Sequence, residues 1–286
     1  MSSTTVQGNN GMTSERITNV VPPNPVSGHT GVRFSNVTHW FVGESDANLV
    51  LENISFEVPD GEFVAIVGAS GCGKTTILNM IAGLYEPTEG TLEVSIGEKR
   101  LALPSKRVGY MWARDALLPW RSLLRNVEFG LELRKVPRSE RRAKAEKYLT
   151  MTGLAGNYRK FPAQLSHGMR QRANLARLLA IEPEFLLMDE PFSALDAQTK
   201  AVLQQEFSRI WEANVRTTVY VTHDLTEACL LADRVIVMGQ GYLAYDLEVP
   251  FERPRNLDEL RFAPDFQSFS HDLWLKLQHA KEGGRQ

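Results

Sequence analysis

From position 68 to 75 the chain reads Gly-Ala-Ser-Gly-Cys-Gly-Lys-Thr. Its glycines let the backbone curl around an anion, and one lysine and one hydroxyl stand where the curl closes. Placed after a strand and before a helix, this G-x-x-x-x-G-K-[ST] spacing makes a phosphate cradle. The N–H groups of the loop and helix start supply donors, and the helix dipole presents its positive end. Gly68, Ala69, Ser70, Gly71, Cys72 and Gly73 then form the cradle. Lys74 holds β- and γ-phosphate oxygens, Thr75 holds Mg²⁺, and Thr76 belongs to the same nucleotide-binding stretch. A second reactive pair, Asp189-Glu190, ends the apolar run Phe185-Leu186-Leu187-Met188. A strand with that ending carries its carboxylates to the sheet edge where doubly wound proteins bind ligands. Asp189 suits a hard cation. Glu190 is the candidate base that orients water toward the terminal phosphate. A nucleoside triphosphate with Mg²⁺ is the implied ligand.

The elements that must position these residues can be read from periodicity. The run Phe63-Val64-Ala65-Ile66-Val67 has no alternation and reads as a strand buried on both faces. Ile77, Leu78, Ile81 and Leu84 follow the cradle at core-facing helical spacing. Short apolar runs recur at 108–112, 185–188, 218–221 and 235–238, separated by helical spacing, which predicts a mostly parallel α/β sheet. Earlier, Val32, Phe34 and Val37, then Ile54, Phe56 and Val58, alternate with polar residues as half-buried antiparallel strands do. The stretch 117–180 is too long for one crossover and predicts an inserted α-helical subdomain, about 114–180. Its basic residues between Arg134 and Lys147 are interrupted by glutamates and read as a solvated helix face. Residues 1–30 are rich in Ser, Thr, Asn, Pro and Gly and are expected to be a disordered tail. The main domain is then 31–250. A C-terminal extension, 251–286, holds Pro254, Pro264 and a short apolar helix near 269–277.

Composition excludes several classes. With 286 residues the chain holds one or two domains. Its 32 Lys and Arg against 34 Asp and Glu leave a net charge of −2, without the basic excess of a nucleic-acid binder. Two cysteines, Cys72 and Cys229, make no disulfide framework and suit a reducing compartment. No apolar stretch approaches the roughly 18 to 20 residues that cross a bilayer, and the N-terminus lacks a signal-peptide pattern.

Three further segments carry a family resemblance. Leu165-Ser166-His167-Gly168-Met169-Arg170-Gln171-Arg172 resembles the LSGGQ signature of ATP-binding-cassette (ABC) proteins. Ser193-Ala194-Leu195-Asp196 resembles their D-loop, and Thr222-His223-Asp224 their switch histidine. The resemblance covers about 34–246 and implies a P-loop NTPase (RecA-like) core in which two copies sandwich two nucleotides head to tail. It implies that Ser166 and Gly168 touch the γ-phosphate across the dimer, with Asp196 part of the same nucleotide-binding set. His223 would touch the γ-phosphate in its own subunit and act beside Glu190. Phe41 stands where the family stacks an aromatic ring on adenine, although it could also be core, and Trp40 is its neighbouring substitute.

The segments Leu117-Leu118-Pro119-Trp120-Arg121 and Ala194-Leu195-Asp196-Ala197-Gln198-Thr199 are similar to those of importer ATPases for nitrate, taurine and aliphatic sulfonates. That likeness implies a peripheral subunit at the cytoplasmic face of the inner membrane. Transmembrane permease subunits would dock beside 114–121, and an extracytoplasmic solute-binding protein would act indirectly. Two departures stand out. Ala113 occupies the place of the family's glutamine, which touches Mg²⁺ and the attacking water, and an alanine side chain can neither donate, accept nor ligate. His167 replaces a signature glycine. The alternative reading is a non-transport or regulatory ABC ATPase with weak hydrolysis.

Overall fold

The computed structural model describes residues 30–42, 47–114 and 116–283. The expected tail lies outside the described residues apart from Thr30, which opens the first strand.

The core is a six-stranded sheet. Its parallel strands are β3 (Phe63–Gly68), β6 (Val108–Met111), β7 (Phe185–Asp189), β8 (Thr217–Thr222) and β9 (Arg234–Met238), and β10 (Leu243–Glu248) adds an antiparallel edge. The order is β10-β9-β3-β8-β7-β6. Successive residues of β3 go to opposite faces: Phe63, Ala65 and Val67 join one apolar core, Val64 and Ile66 the other. Both faces are covered, so these strands carry unbroken apolar runs.

One face is covered by α1 (Lys74–Ile81) and by a smaller antiparallel sheet. In that sheet β1 (Thr30–Val42) lies between β2 (Ala47–Pro59) and β4 (Glu89–Ile96), and the two-residue β5 (Lys99–Arg100) pairs with β4. Phe34 stands opposite Phe56 and their rings stack at 4.7 Å, as the alternating pattern predicts. The strands β4, β5 and β10 escape a reading based on apolar runs because most of their residues are half-buried or exposed.

The other face carries the helices. α2 (Leu123–Leu133), α3 (Arg138–Met151), a 3₁₀ turn (Pro162–Gln164) and α4 (His167–Ala180) form the inserted helical region. The basic face of α3 is solvated and ion-paired: Arg142 meets Glu146 at 2.9 Å and Lys144 meets Glu182 at 3.0 Å. α5 (Ala197–Ala213) and α6 (Leu225–Leu231) are capped by Asp196 and Asp224, whose carboxylates accept N–H bonds from the first turn.

Beyond β10, α7 (Leu257–Leu260) leads to α8 (Pro264–Glu282), about twice as long as the expected 269–277 helix. Pro264 suits its first turn. Phe266, Leu273, Leu277 and Ala280 are buried along one face, while charged residues between them hide the ends of the helix from an apolar-run reading. The extension packs into the main core. Arg253 lies 4.2 Å over the Trp211 ring and bonds Asp233 at 2.6 Å. Arg255 donates to Phe251 O and Ala232 O, and its burial lowers its pKa to about 10.

Candidate functional site

The cradle lies at the end of β3, as its spacing predicts. Gly71 and Gly73 have φ of 81° and 104°, values that side chains disfavour. A Cβ on Gly73 would also sit 2.5 Å from Leu51 Cδ2 of β2. Lys74 is only 7% exposed, and its ammonium donates to Gly68 O at 3.0 Å and Ala69 O at 2.8 Å, so the loop wraps around a fixed positive charge. Cys72 is buried, and burial pushes its thiol pKa up, which makes it a packing residue of the loop.

β7 delivers the carboxylates. Thr75 Oγ1 donates to Asp189 Oδ2 at 3.0 Å, which joins residues 114 positions apart. Burial raises the Asp189 pKa, and the Thr75 bond opposes the rise. A hydroxyl and a carboxylate side by side are hard oxygen donors of the kind Mg²⁺ takes together with phosphate oxygens and water. Among the described residues no group of three or more His, Cys, Asp or Glu is placed to hold a metal ion by itself.

Glu190 turns out of the strand with φ of 46°, and its carboxylate meets His223 Nδ1 at 3.1 Å. Its N–H donates to Val221 O of β8 at 2.9 Å. Cation, hydroxyl, carboxylates and imidazole thus gather where β3, β7 and β8 end. Such a set can hold a polyphosphate and polarise water against it.

The His223 turn rests on a polar network that sequence reasoning missed. Buried Glu227 accepts from Tyr220 Oη at 2.6 Å and Thr222 Oγ1 at 2.7 Å and pairs with Lys200 of α5. Lys200 also bonds Asp224 at 2.7 Å. Burial works against ionising Asp224, but Lys200 and the α6 N–H groups outweigh it and hold its pKa below the ordinary aspartate value. Lys200 lies on α5, Asp224 caps α6 and Glu227 lies on it, so this contact between two helices leaves no local pattern in the sequence.

Ser166 and Gly168 sit at the start of α4, where Ser166 Oγ accepts from Met169 N at 3.3 Å. A Cβ on Gly168 would lie 3.4 Å from Leu195 Cδ2 and 3.5 Å from Ala194 O, so these residues pack on the segment just before Asp196. The Asp196 carboxylate accepts the Thr199 N–H at 3.0 Å, a bond that lowers its pKa.

Phe41 is 39% exposed and packs edge-on against His39 and Tyr85 at 4.7 and 5.4 Å. Trp40 instead lines a separate surface hollow with Asn36, Thr38 and Leu49. Ala113 follows β6 on an exposed bend, beside a Trp112 ring that tilts on Tyr110 at 4.7 Å. Further on, buried Asn126 bonds Leu118 N, Leu118 O, Arg121 O and Ser122 O, and the loop it ties holds Trp120 out at 72% exposure.

Comparison with known proteins bears on this assembly. The family profile described as ABC transporter matches residues 51–193. The chain is 41% identical over 222 residues to a bicarbonate transport ATP-binding protein of Synechocystis, covering 76% of this chain and 78% of that one. It is 43% identical over 238 residues to an aliphatic sulfonates import ATP-binding protein of Mesorhizobium japonicum, covering 82% and 86%. Among solved structures it resembles the dimeric post-hydrolysis state of an ATP-binding cassette bound to ADP and Pi. That likeness has a TM-score of 0.70 and 33% identity, and it covers 77% of this chain and all of the other. A profile match over half of the sequence and relatives above 40% identity across most of it make this chain a member of the ABC transporter ATPase family.

Proposed function

We propose that the protein is the ATP-hydrolysing subunit of an importer for a small solute of the bicarbonate, nitrate, taurine or sulfonate kind. It would act at the cytoplasmic face of the inner membrane through separate permease subunits. Among the described residues no helix is long and apolar enough to cross a membrane. The observation that carries the reading is the meeting of the Thr75–Asp189 pair with the Glu190–His223 pair at one sheet edge. The relatives' names support transport, and that of the sulfonate protein supports import.

In this reading residues 68–76 bind the triphosphate, with Lys74 on the β- and γ-phosphates and Phe41 stacking on adenine. Thr75 and Asp189 would hold Mg²⁺, which supplies Lewis acidity to the phosphate oxygens. Glu190 orients and deprotonates the attacking water, and His223 holds the γ-phosphate side of the site. Ser166, Gly168 and Asp196 complete the site of a second copy head to tail. ATP binding closes that dimer and hydrolysis reopens it, a population shift that the permease converts into alternate access. The exposed Trp120 is the aromatic anchor for a permease helix. A solute-binding protein outside the membrane would choose the cargo.

Ala113 slows the reaction in this scheme, because it withdraws a polar contact to the cation and water. The relatives give no support to a non-transport role. Reconstitution of the chain with its permease and binding protein tests the proposal: ATPase activity should rise on adding the cognate solute. A rate indifferent to permease and solute would refute it.

A further inference from the structure

Glu190 sits at a positive φ that costs a non-glycine residue strain, so its surroundings must hold it there. Its N–H goes to Val221 O at 2.9 Å and its carboxylate to His223 at 3.1 Å, both on β8 or the turn after it. Its carbonyl is held from elsewhere. Gln171 Nε2 donates to Glu190 O at 3.0 Å, and Ser193 Oγ donates to the same oxygen at 3.0 Å. Gln171 is 4% exposed and uses both ends of its amide, since Oε1 accepts from Ala194 N at 2.9 Å. Its neighbours point away: Arg170 bonds Leu165 O and Arg172 bonds Thr152 O. Gln171 therefore ties α4 to both ends of the segment between Glu190 and Ala194, and Gly168 at the start of α4 packs on that segment too.

We infer that Gln171 is a positioning residue for Glu190, relaying the position of the α4 start to the carboxylate of the same chain. The inference rests on the dimer reading above. There, the start of α4 faces the nucleotide held by the other copy. A shift of α4 on meeting that γ-phosphate carries Gln171, and with it the Glu190 carbonyl, so the carboxylate turns relative to His223. Nucleotide at one site thereby sets the geometry for hydrolysis at the other, through a two-bond amide clamp.

The test is steady-state ATPase kinetics of the full chain, with thermal midpoint and ATP-driven dimerisation measured on the same samples. Gln171→Met keeps the side-chain volume and removes both hydrogen bonds. It should lower kcat about tenfold with KM for ATP within about twofold, and bring the Hill coefficient for ATP from above one to about one. Ser193→Ala, at an exposed position, removes one of the two donors to the same carbonyl and should lower kcat about two- to threefold at unchanged KM. If both variants keep the wild-type kcat and cooperativity, the inference fails. It also fails if kcat falls only in step with a rise in KM and a drop in thermal midpoint, which is the signature of a merely structural role. Wild-type protein that hydrolyses ATP as a monomer without cooperativity overturns the dimer reading and the relay with it. A selective loss of kcat in that protein would still report the hold on Glu190.

Discussion

The phosphate loop before α1 and the signature turn before α4 are both glycine-bearing helix starts, but they are finished to different degrees. The first is enclosed by its own chain: Leu51 of β2 closes on Gly73, Lys74 is buried among loop carbonyls, and Asp189 takes the Thr75 hydroxyl. The second is capped by its own Ser166, with His167 left in solvent and only the Ala194–Leu195 side of Gly168 covered. Burial sets the geometry of the first before any ligand arrives. At the second, a local cap satisfies one N–H and leaves the outward face for another molecule. The difference teaches that one helix start is preorganised within the chain, while the other stays open on the side that the proposed second copy would complete.

That contrast can be broken most forcefully at Glu190. Glu190→Gln should reduce kcat by about a hundredfold or more, the range for losing a general base, while equilibrium ATP binding stays unchanged. If turnover survives, the preorganised side does not contain the base. Lys74→Met should weaken ATP binding about tenfold to a hundredfold by calorimetry, since charged hydrogen bonds to phosphate are worth roughly 1.5–3 kcal/mol. Gly168→Asp puts a negative charge at the open helix start. Monomer ATP binding should hold within about twofold while ATP-driven dimerisation and turnover drop about tenfold, as repulsion from phosphate requires. Equal damage to monomer binding would erase the distinction between the two helix starts. Ala113→Gln should raise turnover a few-fold by returning a polar group near the cation, roughly what one neutral hydrogen bond of about 1 kcal/mol supplies. An unchanged rate and coupling would show that the bend after β6 lies outside the reaction.

The smallest effect lies at Asp224, beneath His223. Its folded pKa is below the ordinary aspartate value, so its charge contributes stability above that value, and the contribution is lost as pH falls through the folded pKa. Asp224→Asn keeps a side chain able to cap α6 and removes the charge facing Lys200. The thermal midpoint should fall by a few degrees at pH 7, with the difference from wild type shrinking below about pH 4. A difference independent of pH would assign the loss to capping alone.

Local chemistry made the cradle legible, because phosphate binding there needs consecutive residues and their spacing is the site. Unbroken apolar runs exposed β3, β7, β8 and β9 for the same reason: a strand covered on both faces has no polar side to show. The β4 and β10 edges and the true length of α8 were obscured, since a half-buried element mixes its signal with solvent-facing residues. Phe41 and Trp40 were interchangeable by type. Packing separates them, with Phe41 beside Tyr85 and Trp40 over a different hollow.

Residue order alone therefore specified the triphosphate chemistry, the α/β class and the names of the carboxylates, all of which depend on short-range patterns. Long-range packing settled which groups meet: Thr75 with Asp189, Glu190 with His223, Gln171 with the Glu190 carbonyl, and Lys200 with Asp224 and Glu227. Each of these contacts joins separate elements, and a glutamine or lysine looks the same in the sequence whether it meets solvent or a buried carbonyl. Where such a group is buried, as Gln171, Asp189 and Glu227 are, loss of water makes its partner obligatory and turns an ordinary polar residue into a fixed one.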